Sequence, residues 1–136
     1  VIEISALSGW FAYALIASAG AVPLGFRLMN QRRAAPDSKP IGAHATIGIT
    51  AAAGAGLHTL AILPSLGSPA AVGGGMLALV PGAVGFFVLF AHVGVGMQLR
   101  NVKLKDRPKK RRLHFVFATT ILVAATAHVV LLLRAA

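Results

Sequence analysis

The chain contains no cysteine. Disulfides, thiolate metal sites and cysteine nucleophiles are therefore excluded, and thiols say nothing about the redox compartment. Acidic residues are nearly absent too: Glu3, Asp37 and Asp106 stand against thirteen Lys and Arg. No nucleotide-binding loop and no catalytic dyad can be found. Tryptophan and tyrosine occur once each, as Trp10 and Tyr13, and read as belt residues of a membrane interface. Only 12% of the residues are charged, about half the share found in soluble domains. What fills the chain instead is apolar: 57% of its 136 residues are hydrophobic, with a mean hydropathy of +0.78.

The apolar residues fall into four stretches, roughly Ser5 to Met29, Ile41 to Leu63, Met76 to Leu99 and Leu113 to Leu133. Each exceeds the ~20 residues that a helix needs to cross about 30 Å of hydrocarbon. Lipid offers no partner to free backbone groups, so such runs are expected to be helices. Pro23 and Pro81 fall inside the first and third stretches, where kinks are expected. Abundant Gly and Ala suit closely packed membrane helices. The expectation is an all-α, four-helix up-and-down transmembrane bundle forming one domain over residues 1–136. Ala17-Ser18-Ala19 resembles a signal-peptide cleavage site. The first stretch nevertheless lacks a basic leading region and stays apolar beyond the supposed cut, so it reads as a helix.

A net charge of +10 would point to nucleic acid in a soluble protein, but its distribution excludes that reading here. Arg27, Arg32, Arg33 and Lys39 surround the first connection. Arg100, Lys103, Lys105, Arg107, Lys109, Lys110, Arg111 and Arg112 fill the third. The second, Pro64 to Gly75, is uncharged. Two basic loops opposite a neutral one make the positive-inside pattern, which puts both termini on the outer, non-cytoplasmic side. The basic clusters also offer a docking surface for anionic lipid or an acidic partner.

All five histidines, His44, His58, His92, His114 and His128, lie within or at the ends of apolar stretches. Ionisable groups in membrane spans are costly, which makes them candidates for function. The second stretch reads His44-x13-His58 and the fourth His114-x13-His128. Fourteen steps of 100° come within about 40° of whole turns, so each pair shares a helix face, about 21 Å apart along the axis. The second and fourth helices run in the same direction, and their histidines match in depth. Two layers result, an inner one of His44 with His114 and an outer one of His58 with His128. The plain alternative is helix packing, with each imidazole bonded to Ser or Thr neighbours. Two imidazoles per layer and no further ligand suit a six-coordinate haem iron, whose porphyrin supplies the other four nitrogens. Zinc or copper would want a third or fourth protein ligand, and only His92 is at hand. Two non-covalent b-type haems are therefore the expected cofactors, since without cysteine there is no c-type attachment. Gly82 and Gly96, also fourteen apart, match the outer and inner layers in depth and would let a flat macrocycle approach the third helix. Three roles are open to His92: a haem propionate contact, a quinone contact, or a bond to a backbone carbonyl. Phe86, Phe87 and Phe90 read as lipid-facing or packing residues.

Two His-x13-His helices in a four-helix membrane bundle resemble the haem-binding core of the cytochrome b family of quinol–cytochrome c reductases. The likeness covers about residues 41 to 134. It implies that His44 and His114 ligate the inner haem, that His58 and His128 ligate the outer one, and that Gly82 and Gly96 form a glycine pair flanking both. The chain departs from that family in lacking its additional helices and its Pro-Glu-Trp-Tyr quinol-site motif. Cytochromes of the b-561 class also hold two haems but spread the ligands over more helices.

The function expected is transmembrane electron transfer, with a quinone or a redox protein as partner and a larger oxidoreductase complex as the setting. A bacterial plasma membrane or an energy-transducing organelle membrane is the expected location. Two alternatives belong to other classes. One is a transporter or haem/metal chaperone that uses histidines as transient ligands, against which stands the absence of carboxylates from the spans. The other is a haem-free structural assembly subunit. The charge pattern makes a direct prediction about orientation. Single cysteines introduced between Asn30 and Pro40, or between Asn101 and Arg112, will be protected from an impermeant thiol reagent in intact cells, and Ser68→Cys will be labelled. The reverse pattern would invert the assignment of inner and outer layers.

Overall fold

The computed structural model describes residues 4–66 and 75–135. Glu3 and the middle of the second connection, including Ser68, lie outside the described residues. Four helices make up most of the rest: α1 (Ile4–Asn30), α2 (Lys39–Ile62), α3 (Leu79–Leu99) and α4 (Arg107–Ala135). Single 3-10 turns follow α2 at Leu63–Ser65 and precede α3 at Met76–Ala78. All four spans are long and apolar enough to cross a membrane, and the described residues contain no strand. The chain is an all-α, four-helix integral membrane protein.

The helix ends follow local chemistry. Gln31 terminates α1 with φ +52°, a left-handed conformation usually left to glycine at this position. Its own side-chain amide donates to the Leu28 carbonyl at 2.9 Å, and that of Asn30 donates to Phe26 at 2.9 Å. Two carbonyls of the last turn are thus satisfied by side chains. Pro40 is the second residue of α2, where a missing N–H is tolerated. Pro81 is the third residue of α3, so it stands in a first turn rather than in mid-helix. Pro23 alone interrupts a helix interior.

The fourth helix starts earlier than its hydropathy indicates. It begins at Arg107 rather than Leu113, so the basic run Lys109 to Arg112 is helical. Pro108 suits a first turn, and the Asp106 carbonyl accepts the Lys110 N–H at 3.1 Å. Arg107 reaches back to donate to the Leu99 carbonyl at 2.7 Å. That places a cation at the negative end of the α3 dipole.

Around the bundle, α1 packs on α2, α2 on α3, α3 on α4, and α4 returns to α1. Among the described residues α2 and α4 nowhere bring their Cα atoms within 8 Å of each other, and neither do α1 and α3. The two histidine-bearing helices are therefore diagonal partners facing across the centre.

The burial pattern is inverted relative to a water-soluble bundle. Inside are mostly small residues: Ala12, Ala19, Ala51, Ala52, Ala78 and Ala124. Outside are large apolar ones, such as Leu77 at 82% exposure and Phe87 at 72%. Lipid tails solvate such side chains, so association rests on close backbone packing instead. Of the larger buried residues, Val95 lies next to Gly96, and Leu89 and Ile121 sit together at mid-depth. Leu89 and Ile121 pack with Ala52, and Ile16, Ala55, Val88 and Val93 close around them. Ile121 is midway between His114 and His128, and buried Ala51 is midway between His44 and His58. An apolar plug thus divides the interior into an inner and an outer compartment.

Candidate functional site

In the inner compartment His44 of α2 and His114 of α4 meet across the diagonal. Their ring centroids are 5.9 Å apart and their planes lie at 86°. Two imidazoles bound to opposite sides of one metal atom hold their ring centres about 6 Å apart, given metal–nitrogen bonds of about 2 Å. In the outer compartment His58 and His128 are close enough to interact electrostatically. All four rings are half-buried.

At three of the four rings the proton on Nδ1 sets the orientation. A carbonyl oxygen can only accept, so His44 donates Nδ1–H to Ala19 at 2.8 Å and His128 donates Nδ1–H to Ala78 at 2.9 Å. The Ser8 hydroxyl donates to the Ser5 carbonyl at 3.0 Å, which leaves its oxygen to accept from His58 Nδ1 at 3.1 Å. With Nδ1 protonated, the lone pair of a neutral imidazole is on Nε2, the state a metal ligand requires. Such outer bonds fix both tautomer and ring orientation in metal-binding histidines.

A proline explains where one of the acceptors comes from. A helical carbonyl normally receives the N–H four residues on. For Ala19 that residue is Pro23, which has none, so the carbonyl is left to His44. Ala78 stands just before the first residue of α3, where its carbonyl also faces the Gly82 N–H four residues on, and His128 shares it. The expectation that Pro81 would kink a helix misplaces it, because the helix begins there.

Glycines clear the space beside the rings. A Cβ on Gly82 would lie 2.9 Å from His128 Nδ1, and one on Gly96 would lie 3.0 Å from His114 Cε1. Gly9 on α1 stands in the same relation to His58, with a Cβ 3.0 Å from its Cε1. Gly82 and Gly96 therefore accommodate the imidazoles themselves. Gly9 was not singled out by spacing, because α1 has no second glycine fourteen residues away. A stripe of small residues through Gly9, Ala12 and Ala19 was the available signal.

Of the three roles left open for His92, the structure shows the last, a bond to backbone, here that of His114. The His92 ring stacks on His114 with centroids 3.7 Å apart and planes 11° from parallel. Nδ1 of His92 and Nδ1 of His114 are both buried without a hydrogen-bond partner. One ring nitrogen each from His44, His92 and His114 falls within 4.8 Å of the others. Tested against haem, the outer compartment offers two imidazoles and, among the described residues, no third histidine or carboxylate, which fits bis-imidazole ligation. The inner compartment fits it once the His92 side chain rotates out of the layer.

Comparison with protein-family models, curated proteins and solved structures finds no match to this chain. Its chemistry is therefore argued from the site alone.

The glycine contacts make a prediction. In Gly82→Ala the new methyl meets a ring already held by Ala78, so the variant will lose about 1–3 kcal/mol of stability, as overpacked interiors do. Gly94→Ala, with nothing within 4 Å of its Cβ, will be neutral or gain up to about 1 kcal/mol from helix propensity. Thermal unfolding in detergent checks both. Equal stability of the two variants would mean that His128 does not need the space over Gly82.

Proposed function

We propose that this chain is a di-haem b-type cytochrome that carries electrons across a membrane. The observation that supports it best is the pair of imidazole layers on the diagonal helices, with Nδ1 committed to a protein acceptor at three of four rings. Haem b, when bound, supplies a one-electron iron couple. His44 and His114 would hold the inner iron, and His58 and His128 the outer one. Their layers lie about 21 Å apart, which covers much of the ~30 Å hydrocarbon thickness. Gly9, Gly82 and Gly96 leave room for upright rings. The apolar plug of Leu89, Ile121 and Ala52 keeps water and ions from connecting the two compartments.

In this reading both termini face outward and the basic loops face the cytoplasm or its organelle equivalent. A quinone or a redox protein exchanges electrons at each face, and the chain works as a subunit of an oxidoreductase complex. The second reading is a haem- or metal-handling membrane protein. The third imidazole in the inner compartment favours it.

Histidine variants test the layer assignment. His44→Ala and His114→Ala will each lose the same haem and keep the other, and His58→Ala and His128→Ala will share the complementary loss. The readout is haem content per chain together with the reduced absorption spectrum. His92→Ala will retain two haems. A variant set in which His92 is required for a haem and one of the four is not would contradict the assignment.

A further inference from the structure

Three imidazoles meet in the inner compartment, where a haem would use two. The nitrogens of His44, His92 and His114 lie within 4.8 Å of one another, and they come from three different helices, α2, α3 and α4. A tetrahedral zinc or cobalt ion at about 2.0–2.1 Å from each nitrogen needs them about 3.3–3.4 Å apart. Side-chain shifts of about 1 Å close that gap, together with rotation of the His92 ring out of its stack on His114, because the lone pair of an imidazole lies in the ring plane. Nδ1 of His92 and Nδ1 of His114 are buried without a hydrogen-bond partner, so neither atom is committed to a protein acceptor. A stacked pair of neutral imidazoles satisfies neither, and an unpaired buried polar atom costs about 1–3 kcal/mol.

We propose that His44, His92 and His114 form a three-imidazole site for a transition cation of the zinc and cobalt class, and that this cation and the inner haem exclude one another. The donor set decides the class. With nitrogen ligands only and no carboxylate in any span, the site suits zinc, cobalt, nickel or copper and discriminates against magnesium and calcium, which take oxygen. Three protein ligands leave a fourth position for water or an anion. The layer opens toward the basic loops: His44 is five residues from the start of α2 and His114 seven from the start of α4. The cations there attract anions, which can offset part of the charge of the ion. Exclusion follows from the ligands, because the lone pairs of His44 and His114 cannot serve two metals. It also follows from space, since the His92 ring must leave the layer for a macrocycle to enter. The exclusion, unlike the cation site, rests on the di-haem reading.

The test uses the full chain carrying an affinity tag without histidines. Protein from haem-limited cells is titrated with Co2+ in detergent. One Co2+ per chain with the intense visible bands of tetrahedral cobalt is expected, displaced by Zn2+ and unaffected by excess Mg2+. His92→Ala will lose those bands, and His128→Ala will keep them. Helical wild-type protein without cobalt bands, or His92→Ala with bands equal to the wild type, overturns the site. A second arm needs no haem-free protein. Zn2+ added during haem-replete expression will lower haem from two per chain to one in the wild type and leave His92→Ala at two. An unchanged count of two in the wild type overturns the exclusion. Cobalt binding in a chain that never takes up haem keeps the cation site and removes the di-haem reading. Two haems with no cobalt binding does the opposite.

Discussion

A neutral imidazole in hydrocarbon has one N–H that must find an acceptor and one lone pair that is then free to bind. Lipid supplies no acceptor, and neither does a regular helix, whose carbonyls are already taken by its own N–H groups. The bundle meets this constraint ring by ring. Pro23 leaves the Ala19 carbonyl to His44, and His128 takes a share of the Ala78 carbonyl at the start of α3. On the third ring, Ser8 relays the demand to the Ser5 carbonyl. Helices α1 and α3 thus hold His44, His58 and His128 with the proton on Nδ1, which leaves the lone pair on Nε2.

The distribution of bulk serves the same end. Small residues along the helix contacts let α1 approach α2 and α3 approach α4, while the diagonal pairs stay apart. Glycine is needed where a ring stands upright against a neighbouring backbone, and Gly82 is the tightest such place. Among the described residues, Leu89 and Ile121 are the buried leucine and isoleucine, and they meet at mid-depth, where they separate the two compartments.

Much of the architecture was legible in the sequence because hydropathy, charge and a fourteen-residue spacing each report on a separate physical requirement. The spans follow from bilayer thickness and the layers from helix periodicity. The early start of α4 was not legible, because hydropathy ends where charge begins whereas a helix needs only a suitable first turn, here Pro108 with the Asp106 carbonyl. The proline-to-histidine relation was hidden as well. It joins Pro23 of α1 with His44 of α2 through the Ala19 carbonyl, a group that every residue possesses. His92 was visible as an unpaired histidine, but its stacking on His114 depends on the rotation of α3 against α4, which no single-chain periodicity encodes.

That the chain holds two b-type haems is the central claim, and the pyridine haemochrome assay measures it most directly. The protein is purified in detergent and its helicity verified by circular dichroism. Its haem is then extracted into alkaline pyridine and counted against polypeptide. The account predicts two non-covalent b-type haems per chain. A fully helical protein with no haem, grown with haem in ample supply, would contradict it.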